Sequence, residues 1–197
     1  MRVGIFGGSF DPIHNGHIAA ARRAQHVATL DLVVFVPAGI QPLKPQGAQA
    51  TPAQRVQMIE LAIADEAMFC CSTIEVDRAG PSYTIDTLRA FRQQYGNDLF
   101  FILGADALNE LPRWHRATDV LALARLIVIG RPGFSPDVRG VEQKLAGMSQ
   151  RIQLISGPSL ALSSTKLRQQ IAAGDPIATL VPPAVAAFIA AHALYCI

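Results

Sequence analysis

The chain has 197 residues, half of them apolar, and carries 17 Lys plus Arg against 15 Asp plus Glu, a net charge of +2. That length suits one domain burying about 70% of the surface its unfolded form exposes, and the near-balanced charge gives no ground for nucleic acid or a membrane as partner. Three cysteines, Cys70, Cys71 and Cys196, with two of them adjacent, do not make a disulfide framework. They fit a reducing, cytoplasmic setting, or simple packing.

Met1-Arg2 is followed by too few apolar residues for a secretory signal, so a mature start is expected. Val3 to Phe6, closed by Gly7-Gly8, reads as a short buried strand; Ile18, Ala21 and Ala28 then recur at helical spacing. The stretch Gly7 to His17 is therefore the turn between a strand and a helix N-terminus. Backbone N–H groups there lack intrahelical partners and the helix dipole is positive, which favours an anion, and Gly7 and Gly8 let the backbone come close. His14 and His17, three apart, should share one side of the helix start, each offering an N–H donor. Two other readings stand beside this one. Gly-rich turns with solvated histidines are common, and a metal site with Asp11 as third ligand is conceivable, although zinc takes three or four N or S ligands and no Cys lies nearby.

Leu32 to Val36 reads as a second buried strand, followed from Pro37 to Thr51 by a loop, expected to be mobile, whose one cation is Lys44. Thr51, Pro52 and Gln54 form a capping-box start for a helix with Val56, Ile59 and Ile63 inward and with Arg55 and Glu60 facing water. Ser72 to Val76 predicts a weaker strand. Ser82-Tyr83-Thr84 opens a helix in which Ile85, Leu88, Phe91 and Tyr95 share a face and which Gly96 stops. Leu99–Leu103, Leu126–Ile129 and Ile152–Ile155 are further short apolar runs. Strands of this kind alternating with helices imply a parallel sheet covered on both faces, so the expected fold is a doubly wound, Rossmann-like α/β domain across residues 1–197, undivided by linker or repeat. Gly104-Ala105-Asp106 leaves the fourth strand, Leu111 to His115 starts a helix holding the single tryptophan, Trp114, and Arg131-Pro132-Gly133 leaves the fifth.

A second anion signature follows the last strand, where Leu162 to Arg168 starts a helix that Gly174 and Pro176 end. Ser164 or Thr165 would cap it, with Arg168 about one turn further on; the alternative is an ordinary capped helix with solvated cations. In open α/β sheets both helix N-termini lie at the carboxyl edge of the strands, near the switch in strand order, and two converging anion sites suggest a polyphosphate. Residues 177–197 carry no charge, but Pro182 and Pro183 leave only 14 residues after them, where a membrane span needs about 20. A terminal helix from Pro183, docked through Val185, Phe188 and Ile189 with His192 on the same face, is expected instead.

The string Gly7-Gly8-Ser9-Phe10-Asp11-Pro12-Ile13-His14-Asn15-Gly16-His17 resembles the H-x-G-H signature of the nucleotidyltransferase superfamily, in the form seen in bacterial nicotinate-mononucleotide adenylyltransferases. The stretches PSYTIDTL, FILGADAL…WH, LSSTKLR and VPPAV…FI…LY are similar to further patterns of that family, so the resemblance runs along nearly the whole chain. It implies transfer of the adenylyl group of ATP, with Mg²⁺, to nicotinate mononucleotide in NAD biosynthesis. Carried over residue by residue, Gly7, Gly8, Ser9, Phe10, His14, His17 and Lys44 would line the phosphate site, and Ser164, Thr165 and Arg168 would meet the ATP phosphates. Gly104 and Asp106 would hold adenosine, and Thr84 and Trp114 would meet the acceptor. His14, His17, Lys44 and Arg168 would be catalytic, with no protein-held metal. The absence of a convincing Ser-His-Asp or Cys-His arrangement accords with this chemistry, because a phosphate monoester is already ionised at pH 7 and needs alignment and charge neutralisation rather than a strong base.

The chain departs from the pattern at Leu43, where relatives usually have histidine, and at Leu162 and Phe188, in place of isoleucine and tyrosine. Phosphopantetheine adenylyltransferase shares the logic but is shorter and usually has threonine at the position of His14. A tRNA synthetase fragment would need a tRNA-sized basic patch, which is absent. A nucleotide-binding regulator without catalysis is the alternative from another class. A homo-oligomer is compatible with the sequence.

Overall fold

The computed structural model describes residues 1–43, 47–130, 136–157 and 162–196; Lys44 and Arg131-Pro132-Gly133 lie outside them. The strands β1 (Val3–Gly8), β2 (Leu32–Pro37), β3 (Phe69–Cys71), β4 (Leu99–Gly104), β5 (Arg125–Ile129) and β6 (Ile152–Ile155) form one sheet in the order β3-β2-β1-β4-β5-β6. Every pairing is parallel.

Strand residues alternate between two apolar layers, so the runs are continuous in hydrophobicity while their faces divide with period two. Phe6, Val33, Phe35, Phe100, Ile102, Ile127 and Ile129 join one core with α1 (Asn15–Ala28), α2 (Pro52–Ile63), α7 (Ser164–Ala172) and α8 (Pro183–Ala191). Val3, Ile5, Val34, Phe101, Leu103 and Val128 join the other with α3 (Thr84–Tyr95), α4 (Ala105–Glu110), α5 (Ala117–Leu123) and α6 (Val138–Lys144). Phe35 is fully buried at the centre of the first layer, where truncation to Ala would cost about 3–5 kcal/mol. The chain runs outward through β1, β2 and β3 and then returns to pair β4 with β1, so the order reverses between those two strands. Their carboxyl ends, Gly8 and Gly104, flank the crevice where such folds bind ligands.

The local signals largely hold. Thr51 Oγ1 accepts from Gln54 N at 3.3 Å while Gln54 Oε1 accepts from Thr51 N at 2.9 Å, the reciprocal cap expected for α2. Gly96 ends α3 at φ 87°, and Val185, Phe188 and Ile189 of α8 are buried. His192 is exposed and caps α8 at its end, its Nδ1 lying 2.9 Å from Phe188 O.

Four local expectations are corrected. The third strand is Phe69–Cys71, which pairs with Val33–Phe35. The β-branched stretch after it turns away, taking Glu75 into the interior, where its carboxylate accepts from Thr87 Oγ1 at 2.6 Å. Leu111–Arg113 is one 3₁₀ turn, and the α-helix starts only at Ala117. Ser163, rather than Ser164 or Thr165, caps α7, accepting from Lys166 N at 3.3 Å. Arg55 is not solvated but 2% exposed. No helix among the described residues is long and apolar enough to cross a membrane.

Candidate active site

The turn from β1 into α1 is built around inward-facing side chains. Phe10 has φ 47°, a conformation L residues seldom adopt, and its buried ring stands edge-on to Phe6 at 5.5 Å and His17 at 5.1 Å. The ring thus anchors the turn from within the core, leaving its backbone to face an anion. His14 caps α1 reciprocally: its Nδ1 accepts from His17 N at 3.3 Å, and His17 Nδ1 accepts from His14 N at 3.2 Å. The rings share one side of the helix start, as their spacing implied, and stack with centroids 3.7 Å apart and planes 17° apart. With each Nδ1 occupied as an acceptor, a neutral ring carries its proton on Nε2, so both imidazoles present the same nitrogen as donor. Gly16 is required by this arrangement, because a Cβ there would lie 3.0 Å from both Nδ1 and Cε1 of His14.

Asp11 points into the protein. Its carboxylate, 3% exposed, accepts from Gln49 N at 2.8 Å, Ala50 N at 3.0 Å and Tyr195 Oη at 2.8 Å. These bonds fix the turn to the start of α2 and to the C-terminal segment and give Asp11 a structural task in place of metal ligation. The start of α7 docks on the same turn: Ser164 Oγ donates to Pro12 O at 2.9 Å, and Arg168 Nη1 donates to Asp11 O at 2.7 Å and lies 3.7 Å from Asp11 Oδ2. Arg168 is therefore partly buried against the turn rather than projecting into water, and Thr165 is exposed. A guanidinium has five N–H donors, so Arg168 can hold the turn and still offer donors to a ligand. Arg55 completes the support, donating from Nη1 to Ser9 O at 2.9 Å. Burial pushes its pKa down, against the opposing effects of Asp11 and Tyr195. The sequence carried a signal for Arg55: it precedes the buried Met58 and Ile59 by three and four residues, on the inward stripe of α2.

Across the crevice, Gly104 ends β4 two residues beyond the Phe6–Ile102 pair and precedes α4, in whose first turn Asp106 is exposed. Among the described residues, no atom beyond its chain neighbours stands within 4 Å of where a Gly104 Cβ would be. On the same layer, Thr84 is the first residue of α3, whose N-terminus has no side-chain cap. Trp114, half-buried, stands edge-on to Phe101 at 5.7 Å, and Tyr83 lies 4.4 Å from His115, ring to ring. The loop after β2 is tied to both walls along its described part. Gly39 N donates to Ser82 Oγ at 2.9 Å, Ser82 N to Ile40 O at 2.8 Å, and Ser9 Oγ to Gln41 Oε1 at 2.8 Å. Leu43 is exposed at the end of that part. The structure thus gathers Gly7, Gly8, Ser9, His14, His17, Ser164 and Arg168 about one turn, puts Gly104 and Asp106 at the neighbouring strand end, and sets Thr84 and Trp114 on the α3 side of the sheet.

A parallel sheet in this order, with an anion-favouring turn, paired imidazoles and a cationic helix at its switch point, defines an α/β nucleotidyltransferase. The cytidylyltransferase-like family profile matches residues 5–170. A protein of Roseiflexus sp. (strain RS-1) named "Probable nicotinate-nucleotide adenylyltransferase" is 47% identical over 193 residues, 98% of this chain and 97% of that one. One of the same name from Synechococcus sp. (strain JA-3-3Ab) is 44% identical over 98% of this chain and 94% of its own. Among solved structures, the Plasmodium falciparum nicotinic acid mononucleotide adenylyltransferase complexed with NaAD superposes with a TM-score of 0.81 at 20% identity, covering 98% of this chain and 97% of that one. The chain belongs to the cytidylyltransferase-like family and, within it, to the nicotinate-nucleotide adenylyltransferases.

Proposed function

We propose that this chain transfers the adenylyl group of ATP to nicotinate mononucleotide, giving nicotinate adenine dinucleotide and pyrophosphate. The observation that carries the reading is the turn at the switch point, where two imidazoles with their Nδ1 atoms occupied and the guanidinium of Arg168 surround a backbone suited to phosphate. In the reaction a 5′-phosphate oxygen of the mononucleotide bonds to the α-phosphorus of ATP as the bond to the β-phosphate oxygen breaks. Pyrophosphate leaves, and the nucleophile is an anion already, so no proton need be removed. His14 and His17 donate from Nε2 to phosphate oxygens, and Arg168 meets the triphosphate together with Thr165 and the backbone N–H of Ser164, whose hydroxyl is taken by Pro12 O, so that charge is met by fixed donors rather than by reorganising water. Lys44 would add a cation from the loop after β2. Gly104 and Asp106 would hold the adenosine, while Thr84 and the uncapped start of α3 would receive the nicotinate carboxylate beside Trp114.

Nucleotidyl transfer from ATP generally uses a divalent metal, and we take magnesium as the ion. It would arrive on ATP with phosphate oxygens and water as its ligands. There it would neutralise phosphate charge. The reading places the chain in the reducing cytoplasm, where its free cysteines stay thiols. The test is pyrophosphate release from ATP with nicotinate mononucleotide, its amide and phosphopantetheine in turn. Release with the first well above the other two is expected. None with the first would overturn the proposal.

A further inference from the structure

We propose that Tyr195 is a positioning residue for this reaction: its hydroxyl, through the Asp11 carboxylate, sets the placement of the phosphate turn and of Arg168. The inference rests on the function proposed above and adds a residue that lies beyond α8, 184 positions from the one it holds. Asp11 Oδ1 takes only two donors among the bonds described, Ala50 N at 3.0 Å and Tyr195 Oη at 2.8 Å. Asp11 Oδ2 accepts from Gln49 N and lies 3.7 Å from Arg168 Nη1, the same nitrogen that donates to Asp11 O at 2.7 Å. Both approaches are made through Nη1, whose two N–H groups move together with the guanidinium plane, so closing the 3.7 Å gap to the carboxylate shifts the donor held by the carbonyl. While the hydroxyl satisfies the carboxylate, Arg168 can stay on the carbonyl.

Without the hydroxyl, a buried carboxylate is left a donor short, and Arg168 already stands 3.7 Å from its Oδ2. It would swing from the carbonyl toward the carboxylate, shifting both its remaining N–H groups and the backbone of the turn. The chain after α8 is shaped to prevent this. Ala193 and Tyr195 both have positive φ, 46° and 66°, which L residues adopt only when surrounding contacts hold them. Leu194 N bonds to Ile189 O at 2.9 Å, a tie made by backbone alone. The segment thus doubles back and delivers the phenol to Asp11. Burial and the adjacent carboxylate push the Tyr195 pKa up, so the hydroxyl remains a donor.

The chain and four variants test this by steady-state pyrophosphate release and thermal melting. Tyr195→Phe keeps the ring and removes only the donor. It should lower kcat by about tenfold, in the range expected for sub-ångström misplacement of catalytic groups, while the KM for nicotinate mononucleotide, bound on the β4 and α3 side, stays within twofold. Leu194→Ala perturbs the same segment without touching the hydroxyl. It should melt earlier than Tyr195→Phe yet keep wild-type kcat below its melting range. Tyr195→Phe combined with Arg168→Ala should turn over within twofold of Arg168→Ala alone, since the hydroxyl acts through that arginine. Unchanged kcat in Tyr195→Phe, an equal kcat loss in Leu194→Ala, or fully multiplicative losses in the double variant would overturn the inference while leaving the proposed function standing. A wild-type chain that releases no pyrophosphate would overturn both.

Discussion

Gly16→Ala tests whether the paired imidazoles, rather than the glycine-rich turn as such, set the rate. The new Cβ would stand 3.0 Å from His14 Nδ1 and Cε1, whereas carbon contacts are favourable at about 3.5–4.0 Å, so the ring must move by roughly 0.5 Å or rotate. It cannot slide freely, because His17 is stacked on it at 3.7 Å and His14 is buried. Displacement therefore passes to the second ring, and rotation removes the side-chain acceptor for His17 N, leaving it the His14 carbonyl at 2.8 Å. Loss of that cap costs about 1 kcal/mol, and alanine in place of glycine within a helix returns roughly 0.8–1.0 kcal/mol. The two nearly cancel, so the melting temperature should move by no more than about 4 °C for a chain of this size. Turnover should fall by about 10- to 100-fold, the range for donors displaced from the transition state. The assay is pyrophosphate release at saturating ATP and nicotinate mononucleotide, paired with calorimetric melts. Turnover within twofold of wild type at an unchanged melting temperature would refute the reasoning, and a large loss of stability would show that the clash is absorbed by the fold instead.

His17→Ala should lower kcat on the order of 10²-fold with a small change in melting temperature. Arg168→Ala should lower turnover similarly but also cost about 1.5–3 kcal/mol of stability, because its charged hydrogen bond to Asp11 O is lost; an unchanged melt would refute the docking of α7 on the turn. Nicotinate mononucleotide should be preferred over its amide by about 10- to 100-fold in kcat/KM, since an amide leaves a donor unpaired. The ratio should shrink in Thr84→Val, and equal values in the wild type would sink the carboxylate-selective site. Burial raises the pKa of Glu75 above its ordinary 4.5, so the folded state keeps this proton to higher pH than the unfolded chain, and stability falls as pH rises above that ordinary value through the raised one. Glu75→Gln lacks that fall, so its melting temperature should gain on the wild type from pH 4 to pH 8; parallel curves would count against the buried carboxylate.

The sheet was legible because buried parallel strands are apolar along most of their length: β1, β2, β4 and β5 show it as runs of four or more residues, and the half-exposed edge strand β6, with Gln153 in it, still keeps three apolar positions of four. The sixth, Phe69–Cys71, is too short to stand out beside the more β-branched Ser72–Val76, and what makes it a strand is its pairing with Val33–Phe35, a long-range fact. The site divides the same way. The approach of His14 to His17 follows from helix geometry, whereas their mutual Nδ1 capping depends on ring rotations that spacing does not encode. The inward stripe of α2 marked Arg55 as buried, but the partners of Arg55 and Tyr195 were out of reach for a related reason: their acceptors, Ser9 O and the Asp11 carboxylate, come from segments 46 and 184 residues away.

These partners are not incidental to a phosphate turn. A turn that offers its N–H groups to an anion on one side directs carbonyls toward the protein on the other, and buried carbonyls need donors. Here Ser9 O, Asp11 O and Pro12 O are met by Arg55, Arg168 and Ser164. Two of these three donors are guanidiniums, which satisfy the carbonyls and also place positive charge behind the turn. Neutral donors would satisfy the backbone equally well but add nothing to the field at the turn, so on the proposed function the support of the turn and its attraction for a triphosphate would reside in the same side chains.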